Sequence, residues 1–120
     1  MIRVEYRPEV PEMTFRGHAG YAPAGQDIVC AGVSALFGAL AQSLQRKEDD
    51  GSGTLEIQEG DGTWRVAFHA TGEGQDEISQ IFETISDGIQ LMEETYPEHL
   101  SLRRSVGCGE FPVPDDKMRP

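Results

Sequence analysis

Asp27-Ile28-Val29-Cys30-Ala31-Gly32-Val33-Ser34-Ala35-Leu36-Phe37-Gly38-Ala39-Leu40-Ala41-Gln42-Ser43-Leu44-Gln45-Arg46-Lys47 is the stretch from which the fold is read. Val29, Val33, Leu36, Phe37, Leu40 and Leu44 recur at helical spacing, while Gln42, Gln45, Arg46 and Lys47 make the other side and the end polar. Arg46 and Lys47 suit the negative end of the helix dipole, and Glu48-Asp49-Asp50-Gly51 then breaks the helix. Upstream, Ile2, Val4 and Tyr6 alternate with polar neighbours, the period of a strand with one buried face. Pro8 and Pro11 bound a connection, after which Met13 and Phe15 resume the alternation up to Gly17. Downstream, Leu55 and Ile57 alternate, as do Trp64, Val66 and Phe68, and Gly60-Asp61-Gly62 between them is a hairpin turn signal. Trp64 and Phe68 read as core residues of that alternating strand.

A second helix starts near Gln75-Asp76, after a Gly72-Glu73-Gly74 turn. Its apolar positions Ile78, Ile81, Phe82, Ile85, Ile89, Met92 and Tyr96 hold the helical period, and Pro97 closes it. Gly88 inside it costs roughly 1 kcal/mol relative to alanine, which suggests a close helix–sheet approach. Leu100 and Leu102, with Val106 beyond them, suggest a last strand. The order is β-β-α-β-β-α-β, an α+β fold in which two helices cover an antiparallel or mixed β-sheet. Residues 1–106 read as a single domain and 107–120, with Pro112, Pro114 and Pro120, as an irregular C-terminal tail.

At 120 residues, 38% apolar and 26% charged, the chain has the composition of a folded globular domain. Ten Lys and Arg against 21 Asp and Glu leave a net charge of −11. Such a field repels phosphate backbones and attracts cationic proteins, so the expectation is no direct nucleic acid contact. The same charge also serves solubility alone, and by itself it decides little. No stretch approaches the ~20 consecutive apolar residues that span a bilayer. Met1-Ile2-Arg3-Val4-Glu5-Tyr6 lacks the layout of a secretory signal, so a cytoplasmic protein without membrane contact is expected. A disulfide between Cys30 and Cys108 is disfavoured in that compartment.

Chemistry concentrates between Gly17 and Leu36. His18 ends the second strand and Cys30 opens the first helix twelve positions later, across a loop carrying Gly17, Gly20 and Gly25. A cysteine in the first helical turn lies among unpaired backbone N–H groups, where the macrodipole favours negative charge. Asp27 stands where an N-cap would accept from the N–H of Cys30 or its neighbour. Helix N-termini and a nearby imidazolium both favour thiolate over thiol, and such an imidazolium can later protonate a leaving amine. First-turn N–H groups could also stabilise an oxyanion. Against this, a His and a Cys twelve positions apart arise easily by chance, and a lone helix cysteine is usually a small buried hydrophobe. The N-terminal position of Cys30 and the glycine-rich loop argue the other way, since a core needs neither.

The run Gly17-His18-Ala19-Gly20-Tyr21-Ala22, then Gly25-Gln26-Asp27-Ile28-Val29-Cys30-Ala31 and Ser34-Ala35-Leu36, resembles the ribosomal-processing cysteine protease family, Prp. The resemblance implies that His18 is the general base and Cys30 the nucleophile, with Asp27 and Ser34 in supporting positions. Gly17, Gly20 and Gly25 would belong to a mobile loop beside them. It further implies a cytoplasmic homodimer that removes an N-terminal extension from large-subunit ribosomal protein twenty-seven, cutting after aromatic residues, without a cofactor or metal. An acidic protease meeting a basic ribosomal protein agrees with the −11 charge. Pro23-Ala24 stands where the family pattern has a more polar pair, and Gly32 in the helix is a second departure. The competing reading is a non-catalytic acidic adaptor or dimerisation module that binds a basic ribosomal protein and keeps Cys30 for packing. A redox pair of Cys30 and Cys108 is a weaker third. His69 and His99 read as surface or capping residues, and no paired Cys or His spacing supports zinc.

Overall fold

In the computed structural model, which describes residues 1–17 and 27–105, five strands form one sheet in the order β3-β4-β2-β1-β5. The elements run β1 (Ile2–Arg7), β2 (Glu12–Arg16), α1 (Ile28–Asp49), β3 (Gly53–Gly60), β4 (Thr63–Ala70), α2 (Gln75–Thr95) and β5 (Leu100–Arg104), with a short 3-10 turn at Gly72–Gly74 before α2. The β-β-α-β-β-α-β order is the one read from the sequence, and the sheet is mixed. β1 pairs antiparallel with β2 and parallel with β5, and β4 pairs antiparallel with both β2 and β3. The β3–β4 hairpin turns at Asp61-Gly62, where the backbone φ of +69° falls on glycine, the residue that tolerates it. Val106, Cys108 and the rest of the tail lie outside the described residues.

Both helices lie on one face of the sheet. Strand residues Val4, Tyr6, Met13, Phe15, Val66, Phe68 and Leu100 meet Val29, Val33, Leu40 and Leu44 of α1 and Ile78, Phe82, Ile85 and Ile89 of α2 in a single buried core. These are the apolar positions of the two alternating and helical patterns, brought together because each face is otherwise in water. α1 is long enough and apolar enough by composition to cross a bilayer, contrary to the reading from the sequence. Its alanines and glycines, which escape a count of large apolar residues, make the difference. Here the Val29, Val33, Leu40 and Leu44 side of α1 is closed onto the sheet.

Gly88 serves helix–helix contact rather than the helix–sheet approach expected from the sequence. A Cβ there would stand 3.0 Å from Leu36 Cδ2 of α1, and one at Gly32 would stand 2.7 Å from Met92 Cε of α2. The two glycines therefore let α1 and α2 approach, and Gly32, a departure from the family pattern, has a packing reason.

At the other end of the sheet a polar clasp joins α2 to β1 and β5. The buried Tyr6 hydroxyl donates to Glu83 Oε2 at 2.9 Å, and Arg104 donates to both Glu83 oxygens at 3.1 and 2.8 Å. The Arg104 guanidinium also stands 5.1 Å over the Tyr6 ring. Burial, and then the bond to Glu83, push the Tyr6 phenol well above its ordinary range. The Arg104 hydrogen bonds, aided by Tyr6, hold the Glu83 carboxyl below the usual range. A carboxyl whose folded pKa is depressed contributes stability above its unfolded pKa and loses it as pH falls through the folded value. Glu83→Gln is therefore expected to cost about 1–2 kcal/mol near neutral pH and progressively less in acid, as pH falls through the depressed folded pKa. Urea unfolding of both proteins at neutral and acid pH checks this; a gap that stays constant with pH would remove the ionic part of the clasp.

Candidate functional site

Asp27 is the N-cap of α1, with extended backbone (φ −84°, ψ 101°), and its Oδ1 accepts from the Cys30 N–H at 2.9 Å. The Ala31 N–H donates to the Asp27 carbonyl at 3.0 Å. This is the capping arrangement read from the sequence, and it places the half-buried Cys30 in the first turn. It also changes the count of free donors. Cys30 N–H is taken by Asp27, so the amides of Ile28 and Val29 are the first-turn groups without an acceptor among the described residues. Any oxyanion stabilisation from this helix end has to use those two or rearrange the cap.

Cys30 opens on a cleft of about 240 Å³ between the N-terminal half of α1 and the strand ends. Ile2, Phe15, Val33, Phe37 and Trp64 supply its apolar wall, and Arg16, Gly17, Ser34 and Gly62 also line it. The aromatic rings brace one another. Phe15 meets Phe37 edge-on at 5.5 Å, and Phe37 meets Trp64 at 4.6 Å with a 59° tilt. Such contacts hold aromatic side chains in place beyond what area burial alone supplies. Phe15 and Trp64 are directly opposed across the β2–β4 ladder, and Phe37 reaches them from α1.

Trp64 is the residue that the sequence reading misplaced. It does share the inward face with Val66 and Phe68, but it retains 37% of its surface. Phe68, four residues along, is fully buried as expected. The difference is position along the strand: Phe68 lies under the helices, whereas Trp64 lies at the open end beside Cys30. Alternation reports a side chain's face and is blind to where the covering helix ends. Phe37 was legible as a helix-stripe residue, but nothing in its spacing marks it as a cleft wall.

Gly17 has a local structural reason besides its place next to His18. Its φ is +92°, its N–H donates to the Gly62 carbonyl at 3.0 Å, and a Cβ there would stand 2.5 Å from the Met1 carbonyl oxygen. Ser34, one helical turn after Cys30, is exposed and lines the same cleft. His18, Gly20 and Gly25 lie outside the described residues, as does Cys108.

Away from this site, His69 is exposed and its Nε2 lies 3.1 Å from Glu56 Oε1. His99 is half-buried, and its backbone links Tyr96 to Ile2. Among the described residues no three His, Cys, Asp or Glu side chains gather as a metal site would need. A larger groove of about 340 Å³ runs between α1 and α2, lined by Ser43, Lys47, Glu77, Gln80, Ile81, Thr84 and Ile85. It contains neither cysteine nor histidine, so the chemistry points to the smaller cleft.

A half-buried thiol at a capped helix start, facing an aromatic cleft, is the kind of setting in which reactive cysteines occur. The family model described as cysteine protease Prp matches residues 1–101. This chain belongs to the Prp family of cysteine proteases, a family of ribosomal processing. Ribosomal processing cysteine protease Prp of Staphylococcus aureus is 31% identical over 102 residues, covering 84% of this chain and 92% of the relative. The crystal structure of S. aureus Prp in complex with a covalently linked product peptide matches with a TM-score of 0.73 at 27% identity, over 88% of this chain and all of that one. The same protease with a substrate peptide matches at 0.66 and 26% identity, again over 88% and 100%. SMU.848 from Streptococcus mutans matches at 0.64 and 26% identity, over 88% of this chain and 93% of that one.

Proposed function

We propose that this chain is a cysteine endopeptidase that removes a short N-terminal extension from bacterial large-subunit ribosomal protein twenty-seven. The observation that carries the reading is Cys30 at the mouth of an aromatic-walled cleft in a chain of the Prp family. In this mechanism the Cys30 thiolate attacks the scissile carbonyl carbon, with His18 having taken the thiol proton. His18 then gives that proton to the departing amine, the C–N bond breaks, and the N-terminal fragment remains as a thioester on Cys30. Water, deprotonated by His18, cleaves the thioester and restores the thiol. Gly17, the residue preceding His18, lines the same cleft as Cys30, which supports the pairing. Asp27 acts by holding the first turn, and Ser34, which lines the cleft, contacts the bound peptide. The protein works as a cytoplasmic homodimer, and a monomer mass by sedimentation would refute the assembly.

Phe15, Phe37 and Trp64 take the aromatic side chain that precedes the cut, since the cleft is apolar and on the scale of one or two side chains. The decisive experiment is mass spectrometry of a peptide spanning the extension junction, incubated with the wild-type protein. Cleavage at one bond after an aromatic residue is expected, and an intact peptide would favour the adaptor reading. Trp64→Ala is expected to lower kcat/KM on that peptide about 10- to 100-fold, chiefly through KM, because a desolvated contact with the bound side chain is lost. With alanine in place of the substrate aromatic, the Trp64 change should matter much less. An unaltered kcat/KM on the aromatic peptide would remove Trp64 from the recognition site.

A further inference from the structure

The helices cover one face of the sheet, and the other face carries most of the described arginines. Arg3 and Arg7 of β1, Arg16 of β2, Arg65 of β4 and Arg103 of β5 alternate away from the core. Facing the same way are three glutamates, Glu5, Glu12 and Glu56. This face is therefore cationic in a chain whose total charge is −11, and the excess acid sits on the helices and loops. Net charge led to the expectation of no nucleic acid, but a sum over the chain does not describe one face. A helix layer about 10 Å across separates this face from the acids on the solvent side of α1 and α2.

The charges on this face are not evenly paired. Arg65 is satisfied, with Glu12 at 2.9 Å and Glu56 at 3.2 Å. At the end of the sheet the register runs Thr63, Arg16, Arg3, Ser101 across β4, β2, β1 and β5. Arg3 and Arg16 are directly opposed on neighbouring strands, an arrangement that repels. Both are exposed, and among the described residues no carboxylate stands within ion-pairing distance of either. The row thus consists of two guanidiniums flanked by two hydroxyl residues, with no acidic residue in register. A carboxylate-rich chain that opposes two arginines with no acid in register has an external anion as their natural counterpart.

We propose that the Thr63–Arg16–Arg3–Ser101 row contacts the phosphate backbone of RNA. The cations of the row are arginines, whose planar fork matches phosphate oxygens in a way that an ammonium does not. Hydroxyl residues beside arginine are the usual company for phosphate contacts. The surface is an open sheet rather than a closed pocket, so a polymer that can continue toward Arg103 and Arg7 fits it better than a free ion. RNA is the polyanion that accompanies ribosomal processing, the work of this family. Ile2, Phe15 and Trp64, which line the cleft, are the sequence neighbours of Arg3, Arg16 and Thr63 and point to the opposite face. Arg16 also lines the cleft, so RNA on this row runs past the rim of the cleft at that residue. The proposal rests on family membership and the sheet, and it does not require Cys30 to be catalytic.

The test is fluorescence anisotropy of a labelled mixed-sequence RNA of about 20 nucleotides in ~50 mM salt, with wild type and with Arg3→Gln/Arg16→Gln. Wild type is expected to bind saturably, and the double variant about 10-fold or more weakly, with a log–log salt slope smaller by roughly 1.4. Arg46→Gln on α1 serves as the control that leaves binding unchanged. Removing a like-charged pair should not lower the melting temperature, so a folding defect is separable by thermal circular dichroism. Absence of saturable binding by wild type, or equal affinity of the folded double variant, would overturn the proposal. So would displacement of the RNA by polyglutamate at equal charge, which would assign the row to an acidic protein instead.

Discussion

Cys30→Ala is expected to reduce cleavage of the extension-junction peptide by at least about 1,000-fold, because it removes the thiol on which the proposed covalent intermediate forms. Cys30→Ser should do nearly the same, since a hydroxyl beside one imidazole ionises far less readily than a thiol. Neither change should disturb folding. The cap bond uses the backbone N–H of residue 30, which both substitutions keep, and the side chain is only half-buried. His18→Ala should match the alanine variant within about an order of magnitude, as members of one catalytic unit are not additive. Mass spectrometry of the products, with melting temperatures taken alongside, reads all three variants. Cleavage by Cys30→Ala at the wild-type rate would end the thiol mechanism, whatever the family.

The largest loss of stability is expected at Phe82. This side chain is fully buried, and its ring lies 5.9 Å from that of Tyr6 and nearly parallel to it. Alanine there removes most of a large core side chain and leaves a cavity between α2 and the sheet, a change that costs about 3–5 kcal/mol. The Tyr6 ring would lose its stacking partner while its hydroxyl stayed bound to Glu83, so the clasp would hold a loosened element. For a domain of this size the melting temperature should fall by more than about 10 °C. A fall below about 3 °C would mean that the α2 stripe is not what closes the core. Phe82 is not among the residues that line the Cys30 cleft, so any protein that stays folded should keep its cleavage specificity.

The two helices and the hairpins were legible because their signals are local. Val29, Val33, Leu40 and Leu44 repeat within one element, and so do Ile78, Phe82, Ile85 and Ile89; each set was found buried. Asp27 was legible as a cap for the same reason, since capping joins residues three apart. The parallel pairing of β1 with β5 was not legible. It joins residues about a hundred positions apart, and both antiparallel and mixed sheets satisfy the same alternation. Gly88 illustrates the same limit. A glycine in a helix announces a close neighbour, but only the packing shows that the neighbour is Leu36 of α1 and not the sheet.

The candidate site divides along that line. Cys30 and its cap belong to a single short run, and their chemistry follows from the residue types and the start of a helix. The cleft is assembled from β1, β2, β4 and α1, with walls at Ile2, Phe15, Phe37 and Trp64. Each wall residue looks like ordinary core in its own segment. Trp64 stays partly open because the helices do not extend over that end of the sheet, and the Arg3–Arg16 pair exists only through the β1–β2 register. Local pattern therefore settles which residues face inward and which can do chemistry, since both depend on near neighbours. Which inward residues are left uncovered, and which charges are set against each other, depends on contacts between distant segments, and those exist only once the chain has folded.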